Sequence, residues 1–348
     1  MWLIDRLWGK RELAQAALSG QPIVNDPSVP LVSILIRSMD RPTLQRALES
    51  AAKQTWPNLE IVVVAACGRA HRPLPDSIHG RPLRLVLPDP DRRLPRPEAA
   101  NMCLEAARGE WLNFLDDDDE LLPAHLSTLL NAPRPGNERV LFAATRVDDA
   151  QGKPIGRISH AGNHVQLYFH SRSMLGATAY HRQLIDDGAR FDADFPVHED
   201  HDFQVACATR TQFLFVDIVT CIWNAQTGDS GCGFGANDDT AQRREAVIRI
   251  RSKWETVFKR WLRNADALLF AGKQYLDGGD IPAALECLER ALTLRTNDVN
   301  ALNLCGMANF RAGDLDRAET LLTRAIKRLP KHQALRDNLA LIRSKRAN

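Results

Sequence analysis

The stretch LVSILIRSMDRPTLQRALESAAKQTWPNLEIVVVA, residues 31–65, decides the fold. LVSILI (31–36) and IVVVA (61–65) are β-branched apolar runs of strand length. Between them, TLQRALESAAKQT carries apolar residues at helical spacing behind an Arg41-Pro42-Thr43 entry. Strand, helix and strand in so short a span predict a βαβ unit. Such a unit belongs to a parallel sheet buried on both faces.

Working outward, RLVL (84–87), WLNFL (111–115), VLFAATRV (140–147) and QFLFVDIV (212–219) read as further strands. EAANMCLEAARGE (98–110) reads as a helix ending at Gly109. The prediction is an α/β domain with a mostly parallel sheet between helices. In open sheets of this kind ligands bind at the carboxyl ends of the strands. WLNFLDDDDELLP (111–123) places Asp116–Asp119 and Glu120 at such an end.

Adjacent carboxylates raise one another's pKa and need water, a helix N-terminus or a divalent cation. The run therefore reads in two ways. It can be a solvated start to a helix over 123–130, or it can hold Mg²⁺ or Mn²⁺, hard ions that take oxygen ligands. Such ions use one or two protein carboxylates and fill the rest of their shell with water and phosphate oxygens. The glycine position of an EF-hand loop is missing.

Composition narrows the class. The chain has 348 residues, 44% hydrophobic and 25% charged, enough for two domains. No apolar run reaches membrane-spanning length. Seven cysteines, never in a CxxC pair, argue against a disulfide framework or a zinc site. The first residues lack the order of a signal peptide, so a cytoplasmic protein is expected, free or held peripherally at the inner face of the membrane. Residues 1–242 carry 24 Lys and Arg against 31 Asp and Glu, net −7, whereas 243–348 carry 21 against 12, net +9. The break predicts two domains with different partners. The basic tail has no interleaved aromatics, which argues against nucleic-acid binding.

The C-terminal part repeats. Gly272, Asp280, Ala284 and Ala291 recur 34 residues later as Gly306, Asp314, Ala318 and Ala325. Small residues at these spacings let paired helices pack closely. The pattern closely resembles the tetratricopeptide repeat over about 265–332, with a polar capping helix after it. The resemblance implies a surface for peptide or protein. The predicted layout is an N-terminal amphipathic helix and linker over 1–30, an α/β domain over 31–242, a connecting helix over 243–264 and repeats over 265–348.

Three separated motifs carry a second resemblance. VSILIRSMDRPTLQRALES, AANMCLEAARGEWLNFLDDDDELL and SMLGATAYHRQLIDDGARFDADFPVHEDHDF occur in this order within about 31–225. Together they closely resemble family 2 glycosyltransferases of the GT-A fold. The resemblance implies that Asp116-Asp117-Asp118 is the Asp-x-Asp motif. Asp118 would lead the metal site with Asp116, and Asp116 or Asp117 would lie near the donor. It makes Asp200, beside Glu199, the catalytic base, and places Ser38, Asp40 and Arg41 in the first nucleotide-binding turn.

Departures from the family pattern are Ala65-Ala66, where a base-reading Asp-Asp is usual, Met39 for an aromatic and Arg37 for a proline. The implied function is metal-dependent inverting transfer of a sugar from a nucleotide-sugar donor to a hydroxyl of a glycan or protein acceptor. The repeats would dock the acceptor or a protein partner. The alternative is a non-catalytic scaffold that binds peptide or protein through its repeats. His164, His170, His181, His198 and His201 are further candidate ligands or ordinary packing residues. The Gly-rich stretch 223–235 reads as a mobile loop over the donor or a plain loop.

Overall fold

The computed structural model describes residues 26–88, 92–159, 162–225 and 240–347. The predicted helix within residues 1–25 and most of the Gly-rich stretch (226–235) lie outside the described residues. The chain divides into two compact units, residues 1–162 with 171–250, and residues 163–170 with 251–348.

The first unit contains the expected βαβ element. Strand β1 (Val32–Ser38), the helix Leu44–Ala52 and β2 (Leu59–Ala65) follow one another, and β1 pairs with β2 in parallel. Leu44, Ala47, Leu48 and Ala51, at helical spacing, are buried against Ile34, Ile36, Ile61 and Val63. Leu35 and Val62, on the other face of the two strands, are buried too. Burial on both faces is what made these strands legible as continuous apolar runs.

Eight further strands are described: β3 (Ser77–Ile78), β4 (Arg81–Val86), β5 (Trp111–Asp116), β6 (Glu120–Leu121), β7 (Val140–Asp148), β8 (Pro154–Ile158), β9 (Thr178–His181) and β10 (Phe213–Asn224). Their order is β3-β4-β2-β1-β5-β9-β7-β10-β6, with β8 on β7. The sheet is mixed, and its long ladders β4-β2-β1-β5 and β7-β10 are parallel. β9 is antiparallel to both β5 and β7 and joins them at the centre. Asn113 of β5 anchors the chain entering β9 by donating to the carbonyls of Gly176 and Thr178 at 3.0 and 2.8 Å.

The helix predicted over 98–110 runs from Arg96 to Ala106. It stops before Gly109 because the chain passes against β1. A Cβ on Gly109 would lie 2.5 Å from the Ser33 nitrogen. The amides of Arg108 and Gly109 leave the helix to donate to Glu60 (2.7 Å) and Ser33 (2.8 Å).

The second unit is helical. Ala265–Asp277, Ile281–Leu294, Val299–Ala312 and Leu315–Arg328 form two helix pairs, and Gln333–Ala347 follows. Gly279 and Gly313 take left-handed backbone at φ 82° and 89°. Asp280 and Asp314, next in sequence, cap the following helices by accepting from Ala283 and Arg317 amides. The repeated Gly-Asp is thus a turn glycine plus an N-cap. Leu335 and Ile342 of the last helix are buried in the same core as Leu321 and Leu322. Between the sheet domain and the first pair, the expected connecting helix is two helices, Thr240–Lys253 and Glu255–Trp261.

Candidate active site

The acidic run does not sit together in water. Its members diverge from the end of β5 to different partners. Arg37 and Asp116 are register neighbours on β1 and β5, and their side chains form an ion pair at 2.7 Å. Asp117 is wholly buried, where it accepts from the Met39 amide at 2.7 Å and pairs with Arg41. Asp119 turns inward, and its carboxylate accepts from the Asn224 amide at 2.9 Å. Glu120 pairs with Arg46 at 3.2 Å. The Asp118 carboxylate is recorded in no hydrogen bond or ion pair with a side chain among the described residues, and has its own backbone amide as a partner. Its backbone carbonyl is held by Asn224 and Arg46.

These environments separate the carboxyls chemically. Burial works to raise Asp116, but the Arg37 guanidinium, with Arg96 and Arg41, outweighs it and holds the group below its ordinary value. Asp118 is pushed up to about 6, by burial first and then by the charge on Asp116, with Arg41 opposing. Asp119 is raised well above its ordinary value, by burial first and then by Asp118.

Glu199 and Asp200 open the helix Glu199–Ala208. His198 enters it with φ 58°, a left-handed conformation unusual for a residue with a side chain. Glu199 is buried and binds the second arm of Arg37 at 2.7 Å. Asp200 is pushed up to about 7 by burial and by the neighbouring Glu199 charge. A carboxyl in that range can exchange a proton near neutrality.

Asp116, Asp118, Glu199 and Asp200 line one cavity of about 710 Å³, together with Arg37 and Arg41. Arg93, Arg96 and Arg243 add cationic walls, and Met39, Ala66 and Leu94 add apolar ones. Such a lining suits a ligand with both anionic and apolar parts. Ser38, Asp40 and Asp117 are not among the lining residues. Ser38 is buried with its hydroxyl 2.8 Å from the His71 ring, and Asp40 (φ 59°) pairs with Arg72 at 3.1 Å. These residues shape the turn after β1 from behind.

Of the histidines weighed from sequence, His198 lines the cavity, its pKa lowered by burial and by Arg243. His181 packs edge-on against Trp111, and His164 lies against Trp261. Among the described residues, no three His, Cys, Asp or Glu side chains stand together as a ready-made metal cage. Sequence reading missed Arg37 as a site residue. The signal was present as an arginine directly after the apolar run of β1, but its two partners are known only after folding.

Comparison with known proteins agrees with this architecture. The family model described as glycosyl transferase family 2 matches residues 33–188, and a tetratricopeptide repeat model matches residues 269–333. An uncharacterized protein of Mycobacterium tuberculosis is 30% identical over 212 residues, 55% of this chain and 66% of that one. The succinoglycan biosynthesis protein ExoO of Rhizobium meliloti is 29% identical over 142 residues, 39% of this chain and 38% of that one. An uncharacterized glycosyltransferase of Bacillus subtilis, YwdF, is 23% identical over 64% of this chain and 83% of its own. The chain thus spans less than two thirds of the first two relatives. Residues 33–188 are thus similar to glycosyl transferase family 2, and residues 269–333 to the tetratricopeptide repeat.

Proposed function

We propose that the chain transfers a sugar, with inversion, from a nucleotide-sugar donor to a hydroxyl of a glycan or protein acceptor. The observation that carries this reading is that Asp118 and Asp200, distant in sequence, line one cavity whose walls also hold Arg41, Arg93 and Arg96. The Asp200 carboxylate takes the proton of the acceptor hydroxyl. The acceptor oxygen attacks the anomeric carbon from the side opposite the diphosphate, whose bond to that carbon breaks with both electrons leaving on the diphosphate oxygen. The cationic walls stabilise the charge that develops there.

The donor set fits a divalent cation. The Asp118 carboxylate takes no side-chain partner among the described residues and is pushed up to about 6 by burial and by Asp116, a charge that a cation beside it would offset. Asp118 and Asp116 would hold Mn²⁺ or Mg²⁺, which offsets charge on the leaving diphosphate. The repeats, in a segment of net charge +9, dock the acceptor or an acidic protein partner. A relative named for succinoglycan biosynthesis makes a growing glycan the first acceptor class to try. No helix among the described residues is long and apolar enough to cross a membrane. The location proposed is the cytoplasm, free or held peripherally at the inner face of the membrane.

Calorimetry with UDP, GDP, CDP and dTDP, with and without Mn²⁺, tests the reading. Metal-dependent binding of at least one is expected. A response to none favours the scaffold alternative. That alternative draws on Ala66, which lines the cavity where the family resemblance puts a base-reading acid.

A further inference from the structure

Arg37 is the next-to-last residue of β1 and directly follows Ile34, Leu35 and Ile36, which are fully buried. Its own side chain is 10% exposed. A guanidinium so placed is expensive to desolvate unless its donors are matched, and here they are. One arm holds Asp116 Oδ1 at 2.7 Å and the other holds Glu199 Oε1 at 2.7 Å. The first partner ends β5 and the second opens a helix, so one side chain ties the two halves of the cavity together. A planar fork can bridge two carboxylates in this way, whereas an ammonium acts as a single point charge.

The helix enters through His198 at φ 58°. Backbone of that kind persists only where surrounding contacts over-determine it. The Arg37–Glu199 bond is such a contact, applied to the residue directly after His198. Because successive helical residues are set about 100° apart, fixing Glu199 also fixes where Asp200 points.

We propose that Arg37 is a positioning residue: it clamps Glu199, thereby aims Asp200 into the cavity, and holds Asp116 in register with it. Glu199 is then an anchor and not the base. The inference rests on the transferase reading given above, in which Asp200 is the base.

The test uses the full chain, the nucleoside diphosphate found by calorimetry, and hydrolysis of the matching nucleotide-sugar. Arg37→Met should lower kcat by about 10²-fold, the scale expected when a catalytic group is misplaced by about 1 Å. In Glu199→Gln, which leaves the Arg37–Asp116 pair in place, nucleoside diphosphate affinity should change by less than about threefold, because a group acting on the base side moves kcat rather than ground-state binding. Arg37→Lys should recover part of the rate. Glu199→Gln should also lower kcat, and the double variant should lose no more than Arg37→Met alone, since Arg37→Met already breaks the Arg37–Glu199 linkage.

A native rate in Arg37→Met, additive losses in the double variant, or, in Glu199→Gln, an affinity loss matching the rate loss would overturn the inference. Should Arg37→Met fail to fold by circular dichroism, Arg37→Lys with Glu199→Gln supplies the same cycle. A native chain that binds no nucleoside diphosphate overturns the transferase reading and this inference with it. A native chain that binds and hydrolyses donor, beside an unchanged Arg37→Met, overturns this inference alone.

Discussion

Asp118 and Asp200 face the same cavity from different elements, one from the turn after β5 and the other from the first turn of a helix. The two carboxyls have separate environments. Asp118 is raised by burial and by the other members of its run, and Asp200 by burial and by Glu199. In the reading proposed above, Asp118 serves binding and Asp200 takes the proton.

The division predicts different losses. Asp118→Asn should abolish the Mn²⁺-dependent part of nucleoside diphosphate binding in calorimetry while the fold is kept. Loss of binding equally with and without Mn²⁺ would show instead that Asp118 contacts the nucleotide itself.

Asp200→Asn should act on the rate. Removing a positioned general base lowers kcat by roughly 10²–10⁴-fold. Nucleoside diphosphate affinity should stay near native, since the proton is accepted from the other substrate. A variant with native kcat would move the base elsewhere, and His198 on the same cavity wall would be examined next.

The same group sets a pH dependence. Asp200 lies near about 7 when folded and at 3.8 ordinarily, so base activity should rise with pH through about 7. Glu199, Arg37 and Asp116 all act on it, with His198 and Arg243 on the same cavity wall. For stability the sign is opposite. The folded chain binds this proton more tightly than the unfolded chain, so the contribution is full below the ordinary value and is lost as pH rises through about 7. Asp200→Asn should therefore melt a few degrees above native at about pH 8 and close to native at about pH 4. A variant that melts lower at both would show that the Asp200 carboxylate contributes structure as well.

Much of this was legible before folding. β1, β2 and β5 stood out because burial on both faces demands unbroken apolar runs, and the acids after β5 stood out because such a run rarely ends so. The repeats declared themselves by a shared Gly-Asp turn. Other features were hidden for physical reasons. β9 is four residues, TAYH, with one polar residue at each end, and its central place comes from pairing with β5 and β7. Arg37 acquires meaning from carboxylates that are remote in sequence and adjacent only in space. The span of β10 beyond the expected 219, which brings Asn224 to Asp119, comes from pairing with β7 that continues to Asn224 and from a short ladder with β6 at Cys221 and Ile222.

The repeats offer a stability test that separates two effects of glycine. Gly272 and Gly306 occupy matching helix positions, and alanine at either would improve helix propensity by roughly 0.5–1 kcal/mol. Their surroundings differ. A Cβ on Gly272 would lie 2.5 Å from Leu288 Cγ, whereas one on Gly306 would lie 3.1 Å from Leu322 Cγ. The first contact forces Leu288, itself fully buried, out of place, and overpacking of this kind costs about 1–3 kcal/mol. The second needs a shift of a few tenths of an ångström, which the propensity gain can offset. Gly272→Ala should therefore speed amide hydrogen exchange across Ala265–Leu294, and Gly306→Ala should leave Val299–Arg328 close to native. Equal protection in both variants would mean that the first helix pair relaxes around Leu288 more easily than its packing implies.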